Sequence, residues 1–396
     1  FWVATILAVV ADILRSIALA AVALDLTHRP SGLATLQTIG ATPNVLIMLF
    51  GGLAADRFRP HTVFLAATLI QAVAAAWVVV AALGQLAYWH LIVFVVVGGV
   101  AGGLTSGSIF SVVPDLLPAE RLRGANALST ATENLCRFLV PPVVGLAVAV
   151  AGAPTAFAVA ACIAVAVALP LGLIRAPTRG PTGSEGPSGP APRAAPPLAQ
   201  LMEGLRASRQ DGAVWALIWV GAVLIPPSFA ASAVGLPSLA KLSLSAGDSG
   251  IGILLGAVGA GALVGALAAG VLRSVRRPGI VVATAVVAEG VLLVGVGLAP
   301  TLWIAAAALV LVGFVSAVRF VLSVTVLQTR IPAAVRGRVM AVATFAAVSP
   351  QIPVLALAGY VGDALGPRSV VVIGGVLVAL GGAILASRRS IRHLAA

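Results

Sequence analysis

Two charge pairs interrupt sequence that is otherwise apolar. Asp12 and Arg15 lie three residues apart, and Glu133 and Arg137 four apart. Both spacings place the side chains on one face of a helix. Glu289 and Arg319 sit in similar apolar runs without an opposite charge nearby in sequence. An ionisable group at the centre of a membrane helix costs about 2.5–3.5 kcal/mol, so its presence points to an ion or solute pathway. A carboxylate whose contact with water comes and goes can take up and release a proton. Asp12 lies deepest in its run and is the first candidate for that role. The alternative for both same-helix pairs is self-neutralisation in a tolerated helix. For Arg319 it is a long stem that carries the guanidinium to the membrane border.

Other chemistries find no support. Lys241 is the only lysine and follows Ala240, so no G-x-x-x-x-G-K-[ST] phosphate loop exists and ATP cannot drive the molecule directly. Cys136 and Cys162 fall inside apolar runs, so neither a disulfide framework nor a thiolate zinc site is expected. His28, His61, His90 and His393 are scattered, and no Ser/His/Asp spacing is readable. The expectation is a protein that is not an enzyme and uses no cofactor or metal.

Composition defines the elements that must hold the charged groups. Of the 396 residues, 60% are hydrophobic and 9% charged, with a mean hydropathy of +1.11. A soluble domain has about a quarter of its residues charged. Apolar runs near 1–24, 33–54, 62–83, 89–112, 125–150 and 154–174 are followed by others near 213–238, 248–272, 279–299, 301–327, 335–359 and 367–387. They lack period-2 alternation, which favours helices over an outer-membrane barrel. The fold class expected is all-α integral membrane, with twelve transmembrane helices in two pseudo-symmetric six-helix bundles. The chain opens at Phe1, so an upstream cytoplasmic segment is expected; the first run is too long for a cleaved signal peptide.

The domains follow: 1–174 as the first bundle, 175–212 as a linker, 213–387 as the second bundle and 388–396 as a tail. The Pro-, Gly- and Ser-rich stretch 175–197 cannot pack, and Leu198, Leu201, Met202 and Leu205 follow a helical stripe suited to a membrane surface. Of the 24 lysines and arginines, only Arg29, Lys241 and Arg368 fall on one side of the spans, while Arg15, Arg137 and Arg319 lie within them. The remainder share the side of the linker, which the positive-inside rule places in the cytoplasm with both termini. The pI near 11.6 is therefore topological and does not indicate nucleic acid.

The halves repeat. Gly51-Gly52-Leu53-Ala54-Ala55 recurs as Gly265-Ala266-Leu267-Ala268-Ala269, and Pro118-Ala119 as Pro332-Ala333, at one constant separation. Gly145 and Gly152 recur as Gly359 and Gly366 at the same shift. Parallel repeats of this kind are those of a rocking-bundle transporter. The glycine-rich runs 97–108 and 252–270 contain patterns that evoke nucleotide loops, but helix packing accounts for them better.

The segment GGLAADRFRP, 51–60, resembles the motif G-x-x-x-D-R-x-G-R-R between the second and third helices of the major facilitator superfamily. Gly52, Asp56 and Arg57 match; Arg59 takes the second Gly position, and Pro60 and His61 replace the basic pair. VPPVVG, 140–145, resembles the fifth-helix motif of antiporters in that family through Pro142 and Gly145, with Pro141 in place of a glycine. Together with PAERLRGANAL and RIPAAVRGRVMAV after spans four and ten, the chain is most similar to the branch of enterobactin exporters and macrolide-efflux-type permeases. That resemblance implies a cytoplasmic gate at Gly52, Asp56, Arg57 and Arg59. It also implies a substrate and proton path past Asp12, Arg15, Glu133, Arg137 and Arg319. Helix bends are expected at Pro141, Pro142 and Gly145 and at Pro226 and Pro227. Span four departs from drug–proton antiporters in lacking an arginine.

The function expected is export of a small amphipathic molecule across the inner membrane by a proton-driven monomer in contact with lipid. An uptake permease and a transport-dead sensor or scaffold are the alternatives.

Overall fold

The computed structural model describes residues 2–57, 60–116, 135–136, 138–173, 197–271, 278–331 and 333–387. All regular structure among them is helical. In hydrocarbon each backbone N–H and C=O must be bonded internally, and long runs of Ala, Val and Leu meet that demand as helices.

The first half contains α1 (Trp2–Thr27), α2 (Pro30–Arg57), α3 (Pro60–Leu83), α4 (Tyr88–Leu116), α5 (Phe138–Ala151) and α6 (Ala153–Leu173). A short α7 (Pro197–Gln210) leads into the second half. There follow α8 (Gly212–Ala230, continued below), α9 (Gly247–Val271), α10 (Pro278–Leu298), α11 (Leu302–Arg330), α12 (Ala333–Val348), α13 (Gln351–Leu365) and α14 (Pro367–Ser387). Five of these helices begin on a proline, where the missing N–H is one the helix would leave unbonded in any case. Gly152 and Gly366 turn the chain between α5 and α6 and between α13 and α14 with φ of 81° and 88°, a conformation costly for other residues.

Nine helices among the described residues are long and apolar enough to cross a membrane, and α5 and the first part of α6 are shorter apolar helices. The chain is thus an all-α multi-pass membrane protein. The expected eleventh span is broken: a turn at Ser349 and Pro350 separates α12 from α13, and Gln351 Nε2 donates to Ala347 O across it. The seventh runs further than expected. Beyond Ala230 it continues through wide turns at Ala231–Gly235 and Leu239–Ser243, joined by Leu236–Ser238. Pro226 and Pro227, read as bends, lie buried within the continuous part of α8.

The same packing scheme appears twice. α2 and α3 pack on α4, and α6 packs on α3 and α1; α9 and α10 pack on α11, and α14 packs on α10 and α8. Among the described residues α2 crosses α13 and α5 crosses α9 between the sets. The repeated glycines sit at these crossings. Gly145 abuts the backbone of Gly252, and Gly359 abuts Ser31 and Ala34. The largest apolar core lies where α1 passes into α2; it brings Ile17, Leu24 and Leu33 together with Leu236, Leu239 and Leu254.

The linker stretch 174–196 lies outside the described residues. α7, which follows it, docks on α12: Gly204 meets the Arg338 carbonyl, and the Arg338 guanidinium bonds the Glu203 carboxylate. Arg330 pairs with Asp211 at 3.6 Å.

Candidate functional site

A cavity of about 640 Å³ lies between α1, α2 and α4 on one side and α8, α9 and the α12–α13 junction on the other. Its walls are mostly apolar, as the span compositions require, with Phe94, Val95, Phe229 and Leu255 among them. Polar character comes from uncharged amides, Gln37 and Asn44 on α2, Gln71 on α3 and Gln351 at the start of α13. Gln37, Ala41 and Asn44 share a helical face because their spacings of four and three keep them within one stripe. Gly98, Gly99 and Gly102 of α4 leave room beside that stripe.

Asp12 and Arg15 are the charged residues of the cavity wall among the described residues. Arg15 Nη2 approaches Asp12 Oδ1 at 3.4 Å. The Arg15 side chain is only 12% exposed, whereas Asp12 is 71% exposed. The structure turns the Asp12 carboxylate into open cavity, because residue 12 lies on the α1 face away from the buried Ile13, Leu14 and Ile17.

Arg319 is placed differently from the expectation. It is absent from the cavity wall, and its Nε donates to Glu289 Oε2 at 3.0 Å. Glu289, read from sequence as partnerless, also accepts from Ser228 Oγ at 3.2 Å. Neighbouring helices α10 and α11 thus neutralise each other's buried charge, a pairing that residues 30 positions apart do not announce. Glu133, Arg137 and Arg59 lie outside the described residues. Gly52, Asp56 and Arg57 belong to the last turns of α2, and the Asp56 and Arg57 side chains lie outside the described ones. Pro141 and Gly145 serve the α5–α9 crossing: the Pro141 carbonyl approaches Gly252, and Pro142 packs on Gly256.

The cavity is closed at the end where α1 passes into α2. Lys241 Nζ bonds Asp248 Oδ1 at 2.6 Å, Asp25 Oδ1 at 2.8 Å and Ala21 O at 3.1 Å. That single ammonium ties the end of α8 to α1 and α9. Asp363 of α13 accepts from the Ser31 N–H at 3.0 Å and so caps the first turn of α2. Tyr88 Oη donates to Gly32 O at 2.6 Å. Sequence reading saw Lys241 only as a topological charge. Its being the sole lysine in 396 residues was the available signal.

Two repeated helix sets around a central cavity, tied together at one end, define a transporter of the major facilitator superfamily. Solved structures with this fold include a POT family transporter in complex with 5-aminolevulinic acid (TM-score 0.74, 11% identity, 97% of this chain and 94% of that one). A bacterial homolog of the human lysosomal transporter Spinster, in an inward-facing and unoccupied conformation, gives 0.72, 15%, 98% and 96%. A D-xylose-proton symporter gives 0.70, 14%, 98% and 96%. Over residues 1–395 the sequence matches the family described as transmembrane secretion effector, and the chain belongs to that family. The enterobactin exporter EntS of Shigella boydii serotype 18 is 27% identical over 261 residues, 66% of this chain and 59% of that one; EntS of serotype 4 matches equally. The match spans less than two thirds of those relatives' length.

Proposed function

We propose that this protein exports a small amphipathic molecule across the cytoplasmic membrane by alternating access, driven by the proton gradient. The observation that carries the reading is the cavity closed at its α1–α2 end by Lys241, Asp25, Asp248 and the Asp363–Ser31 cap. With that end outside and the arginine-rich end in the cytoplasm, the arrangement is inward-facing, ready to load from within. The two bundles, 1–174 and 213–387, rock about the α2–α13 and α5–α9 crossings, while Gly52, Asp56, Arg57 and Arg59 close the opposite end when the cavity turns outward. Mostly apolar walls with amides and the Asp12–Arg15 pair suit a lipophilic molecule with hydrogen-bonding groups. The name of the exporter relatives supports the outward direction.

Purified protein in proteoliposomes with an imposed pH difference tests this. Candidate amphiphiles should move against their gradient, with stoichiometric counterflow of protons. Accumulation in the opposite sense would make it an uptake permease. Binding without movement of any candidate would make it a sensor.

A further inference from the structure

The face of α7 turned away from the protein is basic. Gly204 and Ser208 face inward, where the buried Ser208 hydroxyl donates to Gly204 O at 2.7 Å. Leu205 packs on the apolar core of the second half. Met202, Arg206, Arg209 and Gln210 are exposed on the opposite stripe. The carboxylates that could pair with these two arginines are engaged elsewhere. Glu203, three residues before Arg206, bonds Arg338. Asp211, two residues after Arg209, accepts from the Val214 N–H at 3.3 Å, which caps α8, and pairs with Arg330 at 3.6 Å. Arg206 and Arg209 thus have no carboxylate partner among the described residues.

Their other neighbours are aromatic. The apolar span of α8 begins at Val214, so the end of α7 stands at the membrane border. The Arg209 guanidinium lies over the Trp215 ring, 5.1 Å from its centroid, and Trp215 meets Trp219 edge to face at 6.0 Å. Trp219 is 54% exposed, and Val223 is exposed one turn further along the same stripe. A ring beneath a guanidinium holds it in place and leaves the N–H groups at its edge for an acceptor. Arg206 and Arg209, three residues apart, are neighbours on one helix face. Two unneutralised guanidinium groups are thus joined to an exposed tryptophan that runs into hydrocarbon, at the level where tryptophan settles in a bilayer.

We propose that Arg206, Arg209, Trp215 and Trp219 form a site for one anionic phospholipid. It requires only that the chain spans a membrane, and stands apart from the direction and coupling of transport. The phosphodiester sits between the two guanidinium groups, which offer paired N–H donors to its oxygens. An acyl chain lies along Trp219 and Val223. Charge selects the occupant. A zwitterionic lipid would bring its own cation to two unneutralised ones, with Glu203 and Asp211 already engaged. The bound lipid fastens α7, docked on α12 through Glu203 and Arg338, to the lipid-facing side of α8.

The test is native mass spectrometry of the purified protein given equal amounts of phosphatidylglycerol and phosphatidylcholine with matched acyl chains. The parent should retain phosphatidylglycerol in preference. Arg206→Gln and Arg209→Gln should each lower that preference about fivefold, and the double variant further. The single variants decide the matter if the double variant does not fold. Arg388→Gln with Arg389→Gln removes the same charge from the tail and should keep the parent's preference. Trp219→Ala should weaken retention of phosphatidylglycerol. Glycerol phosphate, the headgroup without chains, should not displace the lipid at millimolar concentration. A parent without preference overturns the proposal, as does an equal loss in the tail variant, which would make the attraction diffuse. Unchanged retention in Trp219→Ala overturns it by removing the acyl chain from α8. Displacement by glycerol phosphate overturns it by making this a site for soluble phosphates.

Discussion

Lys241 and Asp25 lie on helices from opposite halves of the chain, and their charged groups meet at 2.8 Å. Any motion that opens the cavity at this end must part them, together with the Lys241–Asp248 contact at 2.6 Å or the packing of α9 on α1. Asp25 is 59% exposed, so its share is modest, whereas Asp248 at 19% is better shielded from water.

Lys241→Met should therefore weaken the closed end by about 1–2 kcal/mol, a roughly 5- to 30-fold shift of population. The check is distance measurement between labels at residues 29 and 365. An unchanged distribution would mean that the apolar core around Leu236 and Leu239 closes this end unaided.

Asp12→Asn removes the exposed carboxylate of the cavity and leaves Arg15 with an amide in its place. Transport should slow by about fivefold, the equivalent of about 1 kcal/mol for a solvated contact. Proteoliposome uptake of lipophilic amines compared with uncharged analogues reads it. A parent-like rate for both classes would show that the pair only neutralises itself.

At the α5–α9 crossing a side chain on Gly145 would run into the backbone of Gly252. Gly145→Val should cost about 1–3 kcal/mol through overpacking, seen as a lower melting temperature in detergent. Gly98→Ala is the contrast: a Cβ there meets nothing within 4 Å, and the melting temperature should stay at the parent value.

Topology is tested by reporter fusion. A cytoplasm-dependent reporter after Arg388 should be active and a periplasm-dependent one silent. The reverse pattern would invert the orientation and turn the Lys241 cluster to the inside.

The spans were legible because a run of about 20 apolar residues has essentially one fate in a bilayer. The repeat was legible because only glycine permits two close crossings and two positive-φ turns at matched places, Gly145 with Gly359 and Gly152 with Gly366. The facing of each helix was not. A helix that is apolar all round has no moment to say which side meets a neighbour. Arg319 was therefore assigned to the cavity by its helix number, while geometry gives it to Glu289. Asp12 was expected on the path and does line the cavity, but depth along a helix could not say how open the cavity is around it. Lys241 looked like a loop charge because α8 reads as ending near residue 238; the wide turns that carry it to Ser243 leave no mark in hydropathy.

Those wide turns have a geometric consequence. In α8 the N–H of Leu236 bonds Ala231 O and that of Leu244 bonds Leu239 O, each closing a loop one residue larger than an α-turn. Wide turns of this kind are rare and tend to occur singly, at functional places. Tightening the first to α geometry would advance everything beyond it by one residue's angular step, about 100°. Lys241 lies beyond it. Its ammonium would swing off the side of α8 that faces Asp25 and Asp248 while the helix axis stayed where it is. Were that first wide turn to tighten, Lys241 would leave Asp25 and Asp248 by rotation within α8, a route distinct from any parting of the two halves.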